Sequence, residues 1–235
     1  MKNSRIFGGF SALYMAATYL VNMILFLVVL DYPSITDASQ KVALVVEKQG
    51  VIFLTNLFGY VIFGPALILF LIALYDRLQA ASPLLTKMAA TLGIIWAGSL
   101  IASGMVTNAG IAPAVALYAQ DPAQAAMFWS MTETVASGLG NGNGEILGGL
   151  MTLLISLAAL RSAMLPKWLN IVGIVVGAVG IVSILPALNS LVGLFGIGQL
   201  IWFVGLGVHL IRKQPESTSQ YLPLKRRTQL AGQEK

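Results

Sequence analysis

The sequence predicts an all-α, polytopic membrane protein: six transmembrane helices, a short outer-side helix, and both termini in the cytoplasm. Three observations lead there. Hydrophobic residues make up 57% of the 235 residues, charged residues 10%, and mean hydropathy is +0.82, outside the range of soluble domains. Apolar runs long enough for a ~30 Å hydrocarbon core recur along the chain, separated by proline, glycine or charge. Lysine and arginine gather on alternate connections, as the positive-inside rule requires.

The first span is expected over about 6–30, with Tyr14, Thr18 and Asn22 on one face. Its apolar run is too long for the core of a cleaved signal peptide, so it reads as a retained span closed by Asp31, Tyr32 and Pro33. Residues 34–49 read as a short polar loop with one amphipathic turn through Val42 to Val46. The second span, about 51–75, places Asn56, Tyr60 and Gly64 on one face. Pro65 leaves the carbonyl four residues earlier without its usual donor and kinks the helix. Ser82-Pro83 reads as an N-cap followed by proline at the first helical position. It leads into a third span over about 86–106 with a Ser99, Ser103, Thr107 stripe.

Asp121-Pro122 and Gln124 open a helix over about 122–137, which ends where four of the seven residues 138–144 are glycine. Asn143 then caps a fourth span, 145–161; the fifth covers 167–185 and the sixth 191–211. Residues 1–213 form one membrane domain, and 214–235, with Lys225-Arg226-Arg227, a mobile basic cytoplasmic tail. Charge decides that 122–137 is not itself a crossing. With six spans, every lysine and arginine except Lys41 and Lys48 is cytoplasmic; a seventh would put ten of the fourteen outside. Whether that helix lies flat or dips into the bilayer is open at this stage.

Several chemistries are excluded. There is no cysteine, and the single histidine, His209, rules out a bis-histidine haem and argues against a metal site. The net charge of +5 follows topology and does not signal nucleic acid. The GLGNGNGE run follows a helix rather than a strand and lacks the P-loop lysine, so it is no nucleotide motif. No span carries a Schiff-base lysine or an arginine ladder, and no cofactor is expected. Gly173 and Gly177 form a GxxxG, read as a close helix crossing, and Gly198, Trp202, Gly205 and His209 form a packing stripe.

Polar residues are sorted by depth. Asn22, Asn56, Ser99, Ser103, Thr107, Ser183 and Gln199 all fall in the outer halves of their spans. An outward-facing ligand pocket lined by Asn22, Asn56, Trp129, Glu133, Glu145 and Gln199 accounts for this; the plainer account is small polar groups that hydrogen-bond between helices. Trp129, Glu133 and Ser137 share a helical face, which sets an aromatic ring beside a carboxylate. Paired carboxylates can do acid-base work, yet no nucleophile or metal-ligand cluster accompanies them, and no catalytic residue is assigned.

A span ending in Arg161-Ser162, then Leu165-Pro166-Lys167-Trp168-Leu169, then glycines 173 and 177, resembles the uncharacterised bacterial membrane proteins called domain of unknown function 4386. Basic residues before Gly8-Gly9 and the early Tyr14 are similar too. The resemblance covers roughly 5–213. It implies the six-helix layout and a bacterial inner membrane, and brings no known activity or site residues. The functions in view are a binding protein for a small molecule or lipid, as sensor or accessory subunit; a small secondary transporter built as a 3+3 repeat; and an intramembrane enzyme using paired glutamates. Partners are membrane lipids, a small-molecule or lipid ligand, and a membrane-protein partner or second copy.

Overall fold

In the computed structural model, which describes residues 2–140, 145–162 and 164–212, the secondary structure among the described residues is entirely helical. The α-helices are α1 (Lys2–Ile24), α2 (Ala38–Asn56), α3 (Phe63–Leu78), α4 (Pro83–Tyr118), α5 (Pro122–Leu139), α6 (Ile146–Ser162), α7 (Lys167–Val182) and α8 (Leu191–Ile211). Packing runs from α1 to α3, α4, α6, α7 and α8 and back to α1. Four helical stretches are long and apolar enough to cross a membrane: Asn3–Val29, Ala38–Leu78, Pro83–Tyr118 and Leu191–Ile211. The apolar helices α6 and α7 have 17 and 16 residues, about 25 Å each at 1.5 Å per residue.

Two expected boundaries are corrected. Residues 34–49 are mostly helix, not loop. The Asp37 side chain accepts from Gln40 N at 2.9 Å and starts α2 at Ala38. The boundary expected near residue 50 survives only as a kink, where Lys48 leaves helical dihedrals (φ −110°, ψ 22°). The third span also does not stop at 106: α4 absorbs Pro113 and runs 36 residues, about 54 Å. In both places helix extends because Val42, Val45, Ile111 and Ala114 bury one another in a second core with Ala125, Ala126 and Trp129 of α5. That core is a cap of three helices at one end of the molecule. The larger core, around Phe63, Phe70, Trp96, Trp202 and Phe203, fills the body, with most of its rings edge to face 5.6–6.3 Å apart.

The helix changes form just ahead of Pro65. Leu57–Val61 is a π-helical turn between α2 and α3, closed by Ile62 N to Leu57 O at 2.8 Å. Two partners take up carbonyls around it: Tyr14 Oη donates to Phe58 O at 2.6 Å, and Asn108 Nδ2 to Phe53 O at 3.2 Å. A second π turn, Leu25–Val29, continues α1, and Asp31 turns the chain with φ 44°.

Helix α5 begins as expected. Asp121 Oδ1 accepts from Ala123 N at 3.0 Å and Gln124 N at 3.1 Å. Gly140 ends the helix at φ 135°, a conformation in which a side chain would be strained. Ser82 departs from expectation. It stands at the start of α4, but its hydroxyl makes no cap and is buried without a partner. The Asn143 cap, residues 141–144 of the glycine run and the tail from 213 lie outside the described residues.

Candidate ligand-binding cavities

The stripe Ser99, Ser103, Thr107 explains how α5 is seated. Ser103 Oγ donates to Ala136 O at 2.9 Å, a carbonyl that also accepts from Gly140 N, and Ser99 Oγ donates to Leu139 O, so both hydroxyls hold carbonyls in the last turn of α5. These serines stand 16 and 20 residues beyond Pro83, about 24–30 Å along α4. Helix α5 therefore does not lie across the end of the body. It descends antiparallel to α4, and α6 begins where it stops, its first backbone donor, Glu145 N, held by Ser183 Oγ at 3.0 Å.

Of the six residues expected in one pocket, five line two separate cavities and the sixth lines neither. The larger cavity, about 280 Å³, lies between the cap-ward ends of α1 and α8 and the π turn before α3. Its walls are Thr18, Tyr19, Asn22, Met23, Leu27, Tyr60, Phe63 and Leu100, with Glu145 and the α8 residues Gly193, Gly196 and Ile197. Asn22 lies against Gly59, where an added Cβ would stand 1.8 Å from its Nδ2. Glu145 supplies the carboxylate, and Trp96 lies beside it, its indole N–H buried and short of a closed hydrogen bond. The ion pairs found among the described residues, Lys41–Glu133 and Lys48–Glu47, do not involve Glu145.

The smaller cavity, about 170 Å³, is lined by Phe26, Tyr32, Ile52, Asn56, Thr107, Trp129, Glu133, Ala136 and Ser137. It lies between the cap and the end of α1. Trp129 Nε1 donates to Tyr32 Oη at 2.9 Å, and Tyr32 Oη donates to Glu133 Oε1 at 2.6 Å. Lys41 Nζ sits 3.5 Å from the same oxygen and 5.1 Å from the centre of the Tyr32 ring. Burial, and then the bond to the Glu133 carboxylate, raise the Tyr32 pKa far above that of a free phenol, against a smaller lowering by Trp129. The hydroxyl is thus held protonated as a donor. Asn56 Nδ2 donates to Ile52 O at 2.9 Å, while its Oδ1 is buried without a partner.

Gln199 is a correction. It is fully buried in the body, where Thr152 Oγ1 donates to its Oε1 at 3.2 Å, so it bridges α6 and α8 rather than facing either cavity. Depth along the membrane normal grouped it with Asn22 and Asn56, but depth carries no information about which side of a helix a residue occupies. Sequence reasoning missed Tyr32 and Lys41. In sequence, Tyr32 is part of a span-ending turn and Lys41 a charge in a polar connection. The signal available was the Asp37/Gln40 spacing, a capping box that puts Lys41 in the first turn of a helix. The glycine readings hold: a Cβ on Gly177 would stand 2.7 Å from Gly149 O and Leu153 N, so α6 and α7 meet backbone to backbone. His209 is a helix-end residue whose Nε2 lies 3.0 Å from Met164 O.

No group of three or more potential metal ligands occurs among the described residues. Neither a curated protein nor a solved structure matches the chain. The family model described as domain of unknown function (DUF4386) does match, over residues 9–213, in keeping with the Leu-Pro-x-Trp-Leu start of α7 and the glycine-spaced helix after it, and the chain is a member of that family.

Proposed function

We propose that the chain crosses a bacterial inner membrane six times, with both termini cytoplasmic, and binds an amphiphile whose polar end donates a hydrogen bond to Glu145. As a sensor or accessory subunit, it would take up a lipid or lipid-like molecule from the outer leaflet. The observation that carries this reading is the Glu145 carboxylate, outside the ion pairs found among the described residues, in a mostly apolar cavity between α1 and α8. The Trp96 indole N–H beside it is one donor, and a ligand can supply another. The mouth supports an apolar partner: Leu27 is 53% exposed and Ile197 47%, on helix faces whose exposed residues are Ile24, Val28, Leu194 and Ile201. The cap would stand outside, with Glu133 level with the end of α1 through Tyr32 and spared the cost of the bilayer centre.

Native mass spectrometry of the full chain in detergent tests the reading, with phosphatidylethanolamine, whose headgroup donates, against phosphatidylcholine, whose headgroup does not. Preferential retention of phosphatidylethanolamine, lost in Glu145→Leu, is the expected result. Equal retention of both lipids by both proteins would overturn it. A reporter after Lys213 should report cytoplasm and one near Gln120 periplasm; the same side for both breaks the six-crossing topology.

One observation favours transport as a second reading. Helix α5 ends at Leu139, with Gly140 at φ 135° beside Ser99 of α4, and helix ends inside a bundle are where transporters place substrates. Uptake of a headgroup-labelled amphiphile into proteoliposomes would shift the balance toward it.

A further inference from the structure

We propose that the smaller, cap-side cavity is a separate site for a small organic ammonium ion. Two of its lining residues, Asn56 and Glu133, keep an acceptor oxygen without a partner among the described residues. Asn56 is 1% exposed, and its orientation is settled because only an N–H can point at the Ile52 carbonyl. Its carbonyl oxygen is buried without a partner, and the residue lines the cavity. Glu133 spends one oxygen, Oε1, on both Tyr32 and Lys41, and its Oε2 has no partner among the described residues. Phe26, Tyr32 and Trp129 add three aromatic walls, which favour a cation over a neutral donor. The site already shows this preference with a cation of its own. The Lys41 ammonium sits over the Tyr32 ring and against Glu133, on the side that opens to a surface crevice lined by Ser130, Thr134 and Gly138. A ligand ammonium on the cavity side would share that carboxylate, so Lys41 acts as a resident competitor.

This inference does not rest on Glu145. The probe is ethylammonium, with 1-propanol as its neutral counterpart, titrated into the full chain in detergent and followed by calorimetry and tryptophan fluorescence. Ethylammonium should bind at millimolar concentrations and 1-propanol should not. Glu133→Gln, which keeps the Tyr32 bond, should weaken binding roughly tenfold or more, as loss of a charge-assisted acceptor does. Asn56→Ser should weaken it less, and Lys41→Met should tighten it. A purely structural role for these residues predicts no tightening by Lys41→Met. Binding unchanged in Glu133→Gln and Lys41→Met, in proteins that elute as the parent does, overturns the proposal, and so does no ethylammonium binding at all. Glu145→Leu should leave this binding untouched, which separates its failure from that of the amphiphile site.

Discussion

The body and the cap of this molecule are both packed helices, yet they are held together in different ways. In the body, backbones touch: Gly149 and Gly177 bring α6 and α7 together, and large rings such as Phe70, Trp202 and Phe203 fill the space left over. Its outward faces are apolar, from Phe7 on α1 to Val208 on α8. Helices whose exteriors sit in lipid gain nothing from hiding apolar surface against one another, so close contact must supply the association. The cap has a small core built largely from alanine and valine; Asp37 and Asp121 cap its helices, and its elements are tied to one another by Ser103 and the Trp129–Tyr32–Glu133–Lys41 chain. There, side-chain hydrogen bonds do what backbone contact does below. The difference has a functional corollary: edge ties can be exchanged for ligand contacts at modest cost, and backbone contacts cannot.

The comparison can be broken most directly at Gly177. Gly177→Leu drives a side chain into the backbone of α6 and should cost at least the ~1–3 kcal/mol of overpacking, with loss of monodisperse protein in fluorescence-detected size exclusion. Gly98→Leu, where a Cβ meets nothing within 4 Å, is the matched control and should elute normally. Next in size is Tyr32→Phe, which strands the Trp129 indole N–H and removes a donor from Glu133. A loss of about 1–3 kcal/mol is expected, confined to the cap. Amide exchange should speed up across residues 122–139 and stay unchanged in α6 and α7; equal acceleration in both would show that the cap is not an independent unit. The smallest effect expected is Asp37→Ala, about 1 kcal/mol from the lost cap. It should show as fraying of residues 38–47 on the near side of the Lys48 kink, without change beyond it.

Much of this was legible beforehand. Asp121 as an N-cap, the Gly173/Gly177 crossing and the limits of α8 each follow from one local rule, and each rule acts over a turn or two of chain. The face shared by Trp129, Glu133 and Ser137 was read from helical spacing alone, and those residues line one cavity. What failed were the lengths of α2 and α4. Hydropathy reports affinity for lipid, and residues 38–48 and 107–118 have a mixed composition because they bury against each other and α5.

By itself, then, the sequence determined that the secondary structure of the described residues is helical, that its apolar stretches suit a membrane, and that six of its nine acids fall at Asp31, Asp37, Glu47, Asp121, Glu133 and Glu145. The family, too, follows from sequence alone, since its model matches residues 9–213. Only the tertiary structure decided that Asn22 and Glu145 share one cavity, that Asn56, Trp129 and Glu133 share another, and that Gln199 belongs to neither. The physical reason is that chain position gives distance along a helix axis, whereas a site also depends on how each helix is rotated about that axis. That rotation is set by neighbours far away in sequence: Gly59 receiving Asn22, Tyr32 reaching Glu133, and two serines on α4 holding the end of α5.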